Sequence, residues 1–269
     1  MIKLKDILLE KEEYKPIKHL LYNRDLSYQV QDTISYLEQH GGKVLFLTTS
    51  TRYPFNTGTN KGGVSVEMPK STVLAHFIKD SIKNKSTIID VPTVKIHPCE
   101  GNVSHKDGNH CGVLDSMLKD KRKNPTGNHR CWASLNHKDD ELWKISKELL
   151  EADTVIFFSS IRWGQTNAEY QKLIERLTWI QNRHSTLNDK NVVEGKNAGF
   201  ICIGQNWNGA DVVGTQKKVL DFFGFQTPSN LFWNWQYTID SLDETQESYK
   251  KAHDQFHIDL GIPFEEKND

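Results

Sequence analysis

The alternation of short apolar runs with helical patterns constrains the fold of this chain most strongly. Five runs have the length and apolar content of β-strands: residues 43–49, 87–91, 154–158, 198–203 and 231–237. Three of them, KVLFLTT, TVIFF and AGFICI, are almost continuously apolar, which is typical of parallel strands covered on both faces. Because helical segments separate the runs, we expect βαβ units and a parallel, doubly wound sheet.

Six segments carry apolar residues at the three- and four-residue spacing of amphipathic helices. They are residues 1–40, 71–83, 139–150, 167–183, 212–223 and 243–260. The first segment precedes the sheet and ends at Gly41 and Gly42, a pair that favours helix termination. We therefore divide the chain into a helical N-terminal extension, residues 1–42, and a sheet domain, residues 43–269.

Length and charge exclude several classes of protein. The chain has 269 residues, which suits one α/β domain with insertions. Lys and Arg total 34 against 35 for Asp and Glu, so a net charge of -1 provides no field that would attract nucleic acid or anionic membranes. No run approaches the ~18 apolar residues of a membrane span, and the charged N-terminus does not resemble a signal peptide. We therefore expect a cytoplasmic protein that binds neither nucleic acid nor membranes.

Ligands of open parallel sheets bind beyond the carboxyl ends of the strands. Three loops lie there: residues 50–72, 159–167 and 204–211. In the first loop, Ser71 and Thr72 open a helix, and hydroxyls with free amides at a helix N-terminus bind anions. Arg52 or Lys70 would add positive charge, so a terminal phosphate is the expected ligand. The alternative is that Ser71 or Thr72 only caps its helix.

The second loop reads SSIRWGQTN and leads into an amphipathic helix. Gly164 would allow backbone amides to approach the edge of a heteroaromatic ring, and Trp163 could form a wall beside that ring. A tryptophan directly after a strand is also a common core residue, and Arg162 could equally form a surface ion pair. The third loop, GQNWNG, combines two glycines with amide side chains and a tryptophan.

The segment SSIRWGQTNA, followed by a helix ending in ERL, resembles the flavin loop of the NAD(P)H-dependent FMN reductases and quinone reductases of the flavodoxin-like superfamily. The upstream TSTR and PKSTVLA segments resemble the phosphate loop of that family, here split by an insertion. Ser160 stands where members usually have Pro. The resemblance covers roughly residues 43–225. It implies a flavodoxin-like, doubly wound sheet of five parallel strands in the order 2-1-3-4-5, with a long loop insertion at residues 97–137.

The resemblance implies a bound FMN and assigns residues to its two ends. Four residues belong to the phosphate and ribityl end: Ser50, Arg52, Ser71 and Thr72. Five residues face the flavin ring: Ser160, Ile161, Arg162, Trp163 and Gly164. Four residues of the third loop close the other side of the ring: Gly204, Asn206, Trp207 and Asn208. Arg162 is the expected catalytic residue, stabilising negative charge at the N1–C2=O edge of the flavin.

The implied reaction passes a hydride from NAD(P)H through FMN to a quinone, a flavin or another small-molecule acceptor. Two other functions remain open. One is an FMN-binding electron-transfer protein without its own nicotinamide reaction, and the other is a flavin-free protein whose insertion binds a metal or a partner. Because the family commonly associates and aromatic residues are enriched at interfaces, we expect a homodimer or homotetramer.

The segment 97–137 is far longer than an ordinary loop, and no regular element is predicted in it. It contains Cys99, Cys111 and Cys131 and is rich in histidine, which suggests a metal tie, but the cysteine spacing matches no zinc module. Related iron-sulfur flavoproteins carry a compact cysteine cluster at this position, and this chain lacks that spacing. An ordinary loop or lid, a zinc or other metal site, and a disulfide or iron-sulfur centre all remain open. No metal ligand is assigned.

Overall fold

The computed structural model describes residues 26–52, 58–59, 65–204, 207–236 and 245–263. Five parallel strands form its central sheet: β1 (Val44–Thr48), β2 (Ser86–Asp90), β3 (Thr154–Arg162), β4 (Asn197–Gly204) and β5 (Phe232–Gln236). Their order across the sheet is β2-β1-β3-β4-β5. The predicted flavodoxin-like sheet with strand order 2-1-3-4-5 is therefore confirmed.

The central strands are buried because helices cover them. β1 and β4 are buried along their whole lengths. The rings of Phe46 on β1 and Phe158 on β3 pack together with centroids 5.9 Å apart. Burying an aromatic or aliphatic side chain of this size contributes about 1.5–3 kcal/mol. The continuous apolar runs in the sequence are thus explained by burial on both faces of the sheet.

Seven helices are present among the described residues: α1 (Leu26–His40), α2 (Lys70–Ser81), α3 (Trp132–Asn136), α4 (Leu142–Glu151), α5 (Ala168–Ser185), α6 (Gly209–Phe222) and α7 (Gln246–Leu260). Beyond residue 70, the ends of the predicted helices shift by no more than three residues. Caps set two of the starts, since Asn167 accepts from the amide of Tyr170 and Thr245 accepts from that of Ser248. None of the described helices is both long enough and apolar enough to cross a bilayer.

The N-terminal helix α1 packs onto the same core as the sheet. Leu26, Val30 and Leu37 are buried, and α1 contacts α2 and α7. The indole Nε1 of Trp233 on β5 donates to Thr33 Oγ1 at 2.9 Å. The predicted helix 1–40 is confirmed from Leu26 onward, and its first 25 residues lie outside the described part of the chain.

Strand β3 is longer than the sequence predicts. It was expected to end at Phe158, but it continues to Arg162, because Ile161 and Arg162 pair antiparallel with Thr166 and Gln165. The predicted loop therefore begins with a short β-hairpin. The loop after β1 also contains a short antiparallel pair, Gly58–Thr59 with Ser65–Val66.

The insertion 97–137 contains more regular structure than predicted. It forms 3-10 turns at Asn102–Ser104 and Leu114–Ser116 before α3. Directly after it, the Asp140 carboxylate accepts from both terminal nitrogens of Arg176 on α5, at 2.7 and 3.0 Å, with both side chains fully buried. Arg176 Nη1 also donates to the carbonyl of His97 at 2.6 Å. A buried bidentate ion pair on α5 therefore orders both ends of the segment.

Candidate functional site

A tight hairpin follows β3 and carries the tryptophan-glycine pair. Trp163 and Gly164 both have positive φ, 51° and 69°, as the two central residues of a type I′ turn require. Glycine adopts this backbone without strain, whereas a tryptophan does so only at a cost of about 1–2 kcal/mol. The turn leaves Trp163 93% exposed, so its indole is presented to solvent at the sheet edge.

Asn167 joins the ends of β1 and β3. Its Nδ2 donates to Thr49 Oγ1 at 2.9 Å and to Ser160 Oγ at 3.3 Å. Its Oδ1 accepts from the Tyr170 amide and caps α5. Thr49 Oγ1 donates in turn to the Phe158 carbonyl. One side chain therefore holds the first and second loops together at the start of a rigid helix.

The loop after β4 packs against the hairpin. Asn208 Nδ2 donates to the Gly164 carbonyl at 2.6 Å. A Cβ atom on Gly164 would lie 2.6 Å from the Trp207 indole, so only glycine permits this approach. Gly204 is equally constrained, because its Cβ would lie 2.9 Å from Ile161 Cγ1. The second and third loops thus form one continuous surface, on which Trp207 is half exposed.

Within the described part of the chain, no side chain caps the N-terminus of α2. Its N-cap residue is Pro69, whose carbonyl accepts from the amides of Thr72 and Val73. Thr72 is 1% exposed, yet among the described residues its Oγ1 has no hydrogen-bond partner. A buried hydroxyl left unpaired costs about 1–3 kcal/mol. An uncapped helix start and an unpaired hydroxyl are what an anion at this position would satisfy.

Positive charge adjoins the start of α2. Burial is the main reason that the pKa of Lys70 falls to about 8, with the Arg52 guanidinium lowering it and Glu67 and Asp254 partly opposing the shift. The Lys70 ammonium lies 5.8 Å from the Phe256 ring centroid on α7. A half-buried cation that is costly to keep charged gains most from a bound anion. Arg52 and Lys70 therefore place positive charge beside the start of α2.

The predicted site residues fall into two groups. Ser160, Ile161, Gly164, Gly204, Trp207 and Asn208 meet at the ends of β3 and β4. Ser50 and Arg52 follow β1, and Ser71 and Thr72 lie buried in the first turn of α2. Arg162 and Trp163 project into solvent from the hairpin, and within the described chain Arg162 forms no ion pair. Asn206 lies outside the described residues.

Two residues that the sequence reasoning left out of the site belong to it. The sequence places Asn167 at the end of the second loop and at the start of the predicted helix 167–183, where Asn is a capping signal. Lys70 was named only as an alternative to Arg52. No local pattern reveals that one Asn also bonds to a residue more than a hundred positions earlier, since such a contact depends on the strand order.

Two of the three cysteines of the insertion lie near α5, since Asn182 and Arg176 act on Cys111 and Arg176 acts on Cys131. Trp132 Nε1 donates to the His110 carbonyl at 2.8 Å, and the His110 amide donates to the Asn102 carbonyl at 2.9 Å, so their segments adjoin. Burial, together with the thiols of Cys131 and Cys99, raises the pKa of Cys111 to about 12. All four cysteines lie among the described residues and are free thiols, so this structure contains no disulfide between them.

The fold is that of a doubly wound α/β protein, with an uncapped helix start after β1 and a glycine-lined aromatic surface beyond β3 and β4. Residues 74–239 match the family model described as NADPH-dependent FMN reductase. The chain therefore belongs to the NADPH-dependent FMN reductase family and is a flavin-dependent oxidoreductase. The resemblance inferred from the flavin loop is confirmed.

No curated protein sequence matches the chain. Similar solved structures include RosB with bound 8-demethyl-8-formylriboflavin-5'-phosphate, at 14% identity and a TM-score of 0.48, covering 82% of this chain and 77% of that one. An azoreductase from Bacillus anthracis str. Sterne has 12% identity and a TM-score of 0.45, covering 82% and 97%. An NAD(P)H:quinone oxidoreductase from Methanothermobacter marburgensis has 10% identity and a TM-score of 0.44, covering 82% and 94%.

Proposed function

We propose that this chain binds FMN along the carboxyl edge of β1, β3 and β4 and reduces a small electron acceptor, such as a quinone or a flavin, with electrons from NAD(P)H. The observation that carries the proposal is the start of α2, where a buried, unpaired Thr72 hydroxyl adjoins an uncapped helix N-terminus and the half-buried Lys70. In a chain of this family, a flavin phosphate is the anion that satisfies these groups.

Four features suit the phosphate end. The first amides of α2 and the Thr72 hydroxyl would donate hydrogen bonds, while Lys70 and Arg52 would supply charge. Ser50 follows β1 and Ser71 lies in the first turn of α2, and both would bond the ribityl chain. A charge-assisted hydrogen bond contributes about 1.5–3 kcal/mol, so the phosphate is expected to dominate flavin retention.

The ring end suits a planar, largely apolar group. Gly164 keeps the hairpin backbone close to Trp207, and a larger residue there would fill the approach. Ile161 and Ser160 line the edge of β3, and Asn208 fixes the distance between the two loops. These contacts form a preorganised surface, so little ordering is needed when a ring binds.

Bound FMN supplies the chemistry of hydride acceptance and release, while the protein orients and tunes it. Arg162 is exposed on the hairpin and would place positive charge beside the N1–C2=O edge of the ring, where reduction develops negative charge, and so stabilise the reduced form. Trp163 would cover the site mouth and stack against the ring of the nicotinamide or of the acceptor. We also propose that the chain forms a homodimer or homotetramer, since an exposed indole such as that of Trp163 suits an interface between copies.

The test is a titration of flavin-free protein with FMN, in which binding is measured by the quenching of flavin fluorescence. The wild type should bind one FMN per chain, and Trp163→Ala should weaken binding. Phe222→Ala is the matched control, since Phe222 is an exposed aromatic residue on α6, at 63% exposure. Absence of FMN binding would refute the proposal, and unchanged binding by Trp163→Ala would remove that residue from the site.

A further inference from the structure

Three metal-ligating side chains meet on one turn of the insertion. The ligand atoms of His105, Asp107 and His110 all lie within 4.8 Å of one another, and within the described ranges no other group of three such residues does so. The two imidazole rings stack with centroids 4.3 Å apart. His105 Nδ1 lies 3.4 Å from Asp107 Oδ2. None of these three residues is among those assigned to the proposed flavin site.

The turn that carries these side chains is stabilised by a hydrogen bond within the turn and by hydrogen bonds to neighbouring segments. Gly108, at a φ of 100°, donates its amide to the His105 carbonyl at 2.9 Å and closes the turn. The backbone of His110 is fixed on both sides, by Asn102 and by the indole of Trp132. Because the backbone is already ordered, only side-chain rotation is needed to converge the three ligands on one ion.

The donor set selects the class of ion. Two imidazoles and one carboxylate suit divalent first-row transition ions, and oxygen-preferring Mg²⁺ or Ca²⁺ would need more oxygen ligands. Three protein ligands would leave positions for water, as in open zinc sites. The three cysteines present a different geometry, since their sulfur atoms do not meet the 4.8 Å spacing within the described chain.

We propose that His105, Asp107 and His110 form a binding site for a divalent transition-metal ion such as Zn²⁺, which clips the turn of the insertion. The ion would bridge residues on both sides of Gly108 and so hold the segment that leads to Cys111 and α3. Cys99, Cys111 and Cys131 are the competing location, and their sulfur ligands can be told apart from histidine and carboxylate ligands by spectroscopy.

The experiment is a titration of the reduced, tag-free protein with Co²⁺, monitored by absorption spectroscopy and calorimetry. Zn²⁺ is then added to compete with Co²⁺ for the site. We expect one ion per chain, displaced by Zn²⁺, with only the weak visible bands of nitrogen and oxygen ligation. His105→Ala and His110→Ala should each weaken binding by about tenfold or more. His137→Ala, which removes another histidine of the insertion, should bind as the wild type does.

Two results would overturn the proposal. One is an absence of binding by the wild type. The other is an intense sulfur-to-cobalt charge-transfer band with affinity unchanged in His105→Ala and His110→Ala, which would locate the ion at the thiols. Circular dichroism of each variant verifies folding, and all three altered histidines are at least partly exposed.

Discussion

Replacing Lys70 by Met should weaken the binding of FMN without weakening that of riboflavin. The comparison therefore distinguishes contacts with the flavin phosphate from contacts with the ring. The Lys70 ammonium is held near the α2 N-terminus at a pKa lowered to about 8, chiefly by burial. Met retains most of the side-chain volume but removes the charge. FMN should therefore bind about 10- to 100-fold more weakly, the range expected for losing one charge-assisted hydrogen bond. Riboflavin, which lacks the phosphate, should bind Lys70→Met and the wild type equally.

The pH dependence follows from the same pKa. With a pKa of about 8, Lys70 is about 90% protonated at pH 7 and about 10% at pH 9 in the flavin-free protein. Because only the protonated lysine binds the phosphate, the affinity of the wild type for FMN should fall roughly tenfold between these pH values. Lys70→Met should lack this component of the fall, and riboflavin binding should not show it.

The assay is fluorescence titration of flavin-free protein with FMN and with riboflavin at pH 7 and pH 9. Lys79→Met is the matched control, because Lys79 lies near the far end of α2 and pairs with Asp80. The reasoning is refuted if Lys70→Met lowers the affinity for both flavins equally, or if it leaves the FMN affinity and its pH dependence unchanged.

Three further predictions concern single buried positions. Thr72→Val removes the unpaired hydroxyl, so the flavin-free protein should gain about 1 kcal/mol of stability, measured as a Tm higher by about 2–4 °C. The same substitution should weaken FMN binding. A lower Tm would contradict this prediction. Gly164→Ala places a Cβ 2.6 Å from Trp207 at positive φ and should weaken FMN and riboflavin binding alike, whereas an effect on FMN alone would contradict the ring assignment. Burial, with the Arg176 charge, lowers the pKa of His129 to about 3, below its unfolded value of 6.5. The unfolded chain alone therefore gains a proton as pH falls, which costs about 2 kcal/mol between pH 7 and pH 5; denaturant unfolding of His129→Asn should lack that part of the acid loss, and an identical loss would refute it.

The sheet could be predicted from the sequence because burial on both faces demands continuous apolar runs. Five such runs separated by helices leave few arrangements, and the resemblance of the second loop selected the strand order that is observed. The extension of β3 could not be predicted in the same way. Its pairing depends on a turn in which Trp163 adopts a positive φ, and tryptophan gives no local signal of that conformation.

The sequence predicts too little regular structure in the insertion 97–137, because the order of this segment depends on contacts with residues far away in the chain. Arg176 lies on the predicted helix 167–183, and nothing in the sequence pattern indicates that its side chain is fully buried against Asp140. A buried charge of this kind is stable only when its partner is buried beside it. The burial of Arg176 or of Asp140 therefore cannot be predicted from either residue alone. For the site, the residue types at the loop ends were predictable, whereas the unpaired Thr72 hydroxyl and the bonds of Asn167 required the fold.

The most direct test of the central proposal is an anaerobic titration of the FMN-loaded protein with NADPH. The flavin absorption band in the blue should bleach with one equivalent of NADPH per flavin, and addition of a quinone should restore it. A protein that retains FMN but is not bleached by NADPH or NADH would be an electron-transfer protein instead, and the proposed oxidoreductase reaction would be wrong.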